Sequence, residues 1–150
     1  MTERWSDAAI QDYVATKDVV ILASIEPDGT PLMTPMWFWH DQEAIVMVTP
    51  GGSRKARNVA RDPRVTVLAE SGTRGDIKRV IVTGSAEIVP DGPQRARLVD
   101  RLLAKYHPLI ERIWGSRRMP PDRVVLRIVP RTVRSAGLGA VATRGGLHDD

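Results

Sequence analysis

Three strongly apolar runs lie so close together in the first fifty residues that only hairpin-length links can join them. They are Val19-Val20-Ile21-Leu22-Ala23-Ser24-Ile25, Leu32 to His40, and Ala44-Ile45-Val46-Met47-Val48-Thr49. Between the first two stands Glu26-Pro27-Asp28-Gly29, where proline presets a turn and glycine accepts a positive φ. Between the last two stands the polar Asp41-Gln42-Glu43. Parallel neighbours need a crossover of about a dozen residues or more, which neither link supplies. The first third of the chain therefore reads as an antiparallel meander.

The remaining segments extend the same pattern. Ser6-Asp7 caps a short helix with Ala9, Ile10, Tyr13 and Val14 at helical spacing. Pro50-Gly51-Gly52 ends the third strand, and Ser53 to Arg61 reads as a helix stopped by Asp62-Pro63. Strands are expected over Val65 to Glu70 and Lys78 to Val89, separated by a polar loop from Ser71 to Asp76, with Gly84 marking a bulge. A helix follows Pro93, with Val99, Leu102, Leu103 and Tyr106 as its apolar stripe, and it ends at His107-Pro108; a shorter one covers Leu109 to Trp114. Val124 to Val129 and Thr132 to Ser135 read as final strands split by Pro130. This order lacks βαβ alternation and predicts a mainly β, α+β fold: antiparallel strands curled into a small barrel with helices at its ends. A single domain over 1–136 is expected, with a flexible tail over 137–150.

Charge and composition narrow the chemistry. The 150 residues hold 22 Lys+Arg and 18 Asp+Glu, but residues 1–50 carry only two of the basic residues and eight of the acidic ones. The other hundred are thus basic and suited to an anionic partner. With no cysteine there is no thiolate ligand or Cys nucleophile. His40, His107 and His148 stand apart from one another and from paired carboxylates, so neither a metal site nor a Ser-His-Asp arrangement is expected. No apolar run reaches the length of a membrane span, and the N-terminus has no secretory pattern, which predicts a cytoplasmic protein.

Two segments carry candidate chemistry. Thr49-Pro50-Gly51-Gly52-Ser53-Arg54-Lys55-Ala56-Arg57-Asn58 joins a strand end, a glycine pair and a basic helix start, a combination that suits a phosphate. It lacks the Walker spacing. The alternative is that Ser53 only caps the helix while Arg54, Lys55, Arg57 and Arg61 form a solvated face. In Thr34-Pro35-Met36-Trp37-Phe38-Trp39, a mid-strand proline removes a ladder donor and leaves neighbouring backbone groups free for a planar polar ring, with Met36 and Trp37 as its lining. Phe38 and Trp39 read as core.

These segments, in order with Ile21 to Ile25, Pro27-Asp28-Gly29-Thr30-Pro31, Arg61-Asp62-Pro63-Arg64-Val65 and Thr83 to Ile88, resemble the pyridoxamine 5′-phosphate oxidase-like family of flavin- and deazaflavin-dependent reductases. The resemblance implies a homodimeric split β-barrel binding FMN or the deazaflavin coenzyme F-420 between subunits, with no protein nucleophile. By position, Ser53, Lys55, Arg57 and Asn58 would hold the cofactor phosphate, Thr49 the ribityl region, and Thr34, Pro35, Met36 and Trp37 the ring. The implied reaction is hydride transfer to a conjugated small molecule. The chain has Arg131-Thr132-Val133-Arg134-Ser135 where vitamin B6 oxidases carry Arg-x-His.

Seven arginines against Asp122 between Arg112 and Arg134 suit the polyglutamyl chain of F-420; the alternative is a solvated strand face holding Arg117, Arg118, Arg123 and Arg127. Two other functions stay open: a protein of this fold that binds FMN or haem without turnover, and a basic nucleic-acid-binding module.

Overall fold

The computed structural model describes residues 3–139. In chain order the elements are α1 (Ala8–Ala15), β1 (Val20–Ile25), β2 (Pro31–Met36), β3 (Trp39–His40), β4 (Ile45–Pro50), α2 (Arg54–Arg61), β5 (Arg64–Thr73), β6 (Asp76–Ile88), α3 (Pro93–Tyr106), α4 (Leu109–Trp114) and β7 (Arg123–Ala136). The strands form one antiparallel sheet in the order β2-β1-β5-β6-β7-β4-β3.

That order closes the sheet. β2 and β3 are its opposite edges, yet only Trp37 and Phe38 separate them in the chain. Seven strands spaced by roughly 4.8 Å would put flat edges about 29 Å apart, whereas the three Cα steps from Met36 to Trp39 span at most about 11 Å. The sheet must curl until its edges meet, giving a split barrel whose seam is Trp37-Phe38. The expected single return strand from Leu32 to His40 is thus two strands on opposite edges, and the first third is not a meander. The alternation across the break is unbroken, so periodicity alone joined them.

Inside the barrel, Leu22, Phe38, Ile45, Met47, Val67, Val80, Val82, Leu126 and Ile128 make one buried cluster with Ile10 and Val14 of α1 and Val59 of α2. On the outer face, α3 and α4 bury Val46, Val99, Leu102, Tyr106 and Ile110 against Trp37, Trp39 and Val48. Phe38 points inward with 0% exposure, whereas Trp39 is half-buried on the outer side.

Backbone pairing corrects two further expectations. The polar stretch Ser71 to Asp76 is mostly strand, with Ser71↔Lys78 and Thr73↔Asp76 leaving only Arg74-Gly75 as the turn. Nor does Pro130 split the last strand: β7 is continuous and takes up the irregularity as a bulge at Thr83/Gly84, where Gly84 faces Pro130. A Cβ on Gly84 would lie 2.4 Å from the Val129 carbonyl oxygen, so the expected glycine bulge is present and needs glycine for close approach. Of the expected tail, Leu138 packs against the core, and residues 140–150 lie outside those described.

The seam leaves the Phe38 backbone without a strand neighbour, and α3 supplies its partner. The buried Tyr106 hydroxyl accepts the Phe38 N–H at 2.9 Å; its proton has the carbonyls of Asp18, at 2.7 Å, and Phe38, at 3.0 Å, within reach. Burial holds this phenol up at about 12. Beside it, the Lys105 ammonium donates to the Lys17 carbonyl at 2.9 Å and sits 3.5 Å from the Phe38 ring centroid. Burial lowers Lys105 to about 8.

Tyr106→Phe strands the buried Phe38 N–H and should cost about 1–3 kcal/mol in urea denaturation. The two shifts set opposite pH slopes. Lys105 binds fewer protons folded than unfolded between about pH 8 and its ordinary value of 10.5, so its contribution rises with pH there. Tyr106 holds its proton between 10.0 and about 12, so its contribution falls over that window. Urea midpoints measured from pH 7.5 to 11.5 should lose the rise in Lys105→Met and the fall in Tyr106→Phe, relative to wild type.

Candidate functional site

The basic helix start is built by local chemistry. Ser53 caps α2, its Oγ accepting the Ala56 N–H at 3.2 Å and lying 3.1 Å from the Thr49 Oγ1. The N–H groups of Arg54 and Lys55 precede any intrahelical acceptor and remain available at the positive end of the helix dipole. The Gly51 N–H donates to the Asp122 carbonyl at 2.7 Å, tying the end of β4 to the start of β7. A Cβ on Gly51 would meet that oxygen at 3.2 Å and Val124 at 3.3 Å.

Helical angle sorts the basic residues. Arg54, Asn58 and Arg61 lie on the side facing β1: Arg54 pairs with Glu26 at 2.5 Å, the Asn58 amide donates to the Ser24 hydroxyl at 3.1 Å, and Arg61 donates to the Ile25 carbonyl and to Asn58. Asn58 is 2% exposed and committed to these partners. Lys55 lies on another face, and exposed Arg57 is about 200° around the helix from it. The expected set Ser53, Lys55, Arg57 and Asn58 therefore does not converge: Lys55 faces a cleft, Asn58 faces β1, and Arg57 faces solvent.

That cleft, about 300 Å³, opens between the seam, the end of β4, the start of α2, and α4. Pro35, Met36, Trp37, Thr49 and Lys55 of the expected site line it. Trp37 is stacked on Tyr106 with centroids 4.8 Å apart and planes 7° from parallel, so the seam tyrosine also steadies an aromatic wall. Thr34 is not among the lining residues, and its buried Oγ1 has no hydrogen-bond partner among the described residues.

The rest of the apolar lining lies outside the expected site: Val48, Leu102, Ile110, Ile113 and Trp114 form an apolar wall, and Arg123, one of the arginines between Arg112 and Arg134, adds a second cation beside Pro50. Ile113 was detectable in principle as an apolar residue on a short helix; it is 67% exposed. The described histidines lie elsewhere. His40 is held by Gln11 at 3.0 Å and is lowered by burial, then by the nearby Lys105 charge. His107 bonds Glu111 at 2.7 Å, which holds that carboxyl below its ordinary value. His148 lies outside the described residues, among which no group of His, Asp and Glu is placed to hold a metal ion.

The family profile described as pyridoxamine 5′-phosphate oxidase matches residues 6–137. The chain belongs to this family. It is 33% identical over 86 residues to pyridoxine/pyridoxamine 5′-phosphate oxidase of Escherichia fergusonii, a match covering 57% of this chain and only 38% of that protein. Among solved structures, the conserved hypothetical protein Rv2991 from Mycobacterium tuberculosis is 33% identical, with a TM-score of 0.75, covering 88% of this chain and 84% of that one. An F420 reductase is 27% identical, with a TM-score of 0.57 over 77% of this chain and 88% of that one. HutZ, the haem storage protein of Vibrio cholerae, is 19% identical with a TM-score of 0.71 over 88% and 94%, and shares the fold. The split barrel expected from the sequence is thus the fold of the chain and of its relatives, and no described helix is long and apolar enough to cross a membrane.

The two faces of α2 predict separable effects. Asn58→Ala leaves the buried Ser24 hydroxyl unpaired and should lower unfolding free energy by about 1–3 kcal/mol. Lys55→Ala should leave it within about 0.5 kcal/mol of wild type in the same urea titration.

Proposed function

We propose that the chain binds FMN or the deazaflavin F-420 in this cleft, as a homodimer, and passes a hydride between the cofactor and a conjugated small-molecule acceptor. The observation that carries this reading is the cleft's division into a cationic end and an apolar, aromatic end. Lys55 and the α2 N–H groups suit a phosphate, Arg123 adds a second cation at the same end, and no carboxylate is among the lining residues. Pro35, Met36 and the stacked Trp37 offer a flat wall for a ring. The residues present therefore fit a phosphorylated tricyclic cofactor. When bound, such a ring system supplies the hydride donor and acceptor.

The protein's own part is binding and orientation. Lys55 neutralises the phosphate, the Thr49-Ser53 pair offers hydroxyl groups beside it, and Trp37 fixes the plane of the ring. Leu102, Ile110, Ile113 and Trp114 exclude water from the apolar end. Exposed Met33 and Leu109, with Ile113 at the cleft, are apolar surface for the second subunit. An acceptor related to vitamin B6 has less support, since in Arg131-Thr132-Val133 a valine stands where the Arg-x-His pattern has its histidine, and Ser135 bonds Glu3. The membership of an F420 reductase among the chain's structural neighbours supports the deazaflavin option.

Binding without turnover is supported by the shared fold of the haem storage protein. Against haem in particular, neither His40 nor His107 lines the cleft. A nucleic-acid role has little left to use on α2, because Arg54 and Arg61 are engaged with β1 and its turn.

Fluorescence titration of the purified protein with FMN and with F-420 tests the reading. Saturable binding of one is expected, weakened about 10- to 150-fold in Lys55→Ala by loss of a charge-assisted contact of about 1.5–3 kcal/mol. Unchanged affinity in Lys55→Ala would remove Lys55 from the site. Oxidation of the bound reduced cofactor by cyclohexenone would separate turnover from storage.

A further inference from the structure

The cleft holds one more cation than a single phosphate on Lys55 requires. Arg123 opens β7 opposite Pro50, in the antiparallel register that also pairs Thr49 with Val124. Gly51 permits this closeness, because its N–H bonds the Asp122 carbonyl and a side chain there would press on Asp122 and Val124. The Arg123 side chain is 24% exposed, and Nη1 bonds Asp122 Oδ1 at 2.6 Å. Asp122 is 66% exposed and does not line the cleft, so this pair spends one edge of the guanidinium in solvent and leaves other donors of the fork for the cleft.

Position decides what those donors read. Arg123 adjoins Pro50 and Thr49 at the cationic end, whereas Trp37 and Trp114 mark the aromatic end. A group bound by Arg123 is therefore attached on the phosphate side of the ligand, away from where an acceptor meets the ring. Resting on the cofactor reading above, we infer that Arg123 is a specificity residue that recognises a second anionic group, a carboxylate carried beyond the phosphate, and so favours a ligand whose phosphate is a diester with an acidic extension over a plain phosphate monoester. Within the cofactors proposed, that ligand is F-420 rather than FMN. A planar fork suits a carboxylate through two parallel hydrogen bonds, which a lysine at this place would not reproduce.

The test is a matched set of fluorescence titrations with FMN and F-420 on wild type, Arg123→Gln and Arg123→Lys, each first shown to melt as wild type does. Arg123→Gln should weaken F-420 by about tenfold or more and FMN by less than about threefold, with Arg123→Lys intermediate for F-420. Wild-type F-420 affinity should also fall more steeply with salt than FMN affinity, a comparison that needs no variant. Equal losses for both ligands would assign Arg123 to the common phosphate and overturn the inference; no loss in either would do the same. Wild type binding neither cofactor would instead overturn the cofactor reading, and the inference with it.

Discussion

The Tyr106 hydroxyl is the constraint on which the rest of the molecule depends. A seven-stranded sheet whose two edges are joined by two residues must close, and closure leaves the Phe38 backbone at a seam with no ladder partner. Buried and unpaired, those groups would oppose the fold. Tyr106 reaches the Phe38 N–H and the Asp18 carbonyl together, linking the seam and the connection before β1 to the helix packed outside them. The same ring stacks on Trp37, so the group that closes the barrel also sets one wall of the cleft. Lys105, one residue earlier, holds the connection before β1 through the Lys17 carbonyl and lies over the Phe38 ring.

From this seam the site follows by adjacency. β3 pairs with β4, β4 with β7, and the end of β4 runs through Gly51-Gly52 into α2. The helix start and the first residue of β7 therefore meet at one end of the cleft, and the seam tryptophan stands at the other. α2 divides its work by angle: Arg54, Asn58 and Arg61 fasten it to β1 and its turn, leaving Lys55 to face the cleft. Family membership and the relatives' fold agree with this architecture.

Much of this was legible in the sequence because its signals are local. The turn at Pro27-Asp28-Gly29, the Ser53 cap, the stop at Asp62-Pro63, the apolar stripe of α3 and the Gly84 bulge each depend on a few neighbouring residues, and each is present. The misreadings share a different cause. Nothing in the alternation of Leu32 to His40 reveals that the chain changes sheet edge at Trp37, because the tyrosine that stabilises the break comes 68 residues after Phe38. Polar Ser71 to Thr73 belong to β5 because backbone pairing with β6, rather than burial, holds them there. At the site, Lys55 and Asn58 look alike as polar residues on one short helix, and only the position of β1 separates a ligand-facing cation from a structural amide. For Arg123 the sequence leaves two readings open, an anionic chain or a solvated strand face, because the pairing with Pro50 that brings it to the cleft depends on β4, more than seventy residues away.

The central claim is that the cleft between the seam and α2 is where the cofactor binds. Protein NMR with the four tryptophan indoles resolved tests it directly, by adding FMN or F-420 to saturation. The account predicts shifts at the indoles of Trp37 and Trp114 and at the amides of Arg54 and Lys55, while Trp5, whose indole N–H is held by the Asp41 carbonyl away from the cleft lining, stays in place. Shifts centred on Trp5 and α1, with Trp37 and Lys55 unmoved, would contradict it.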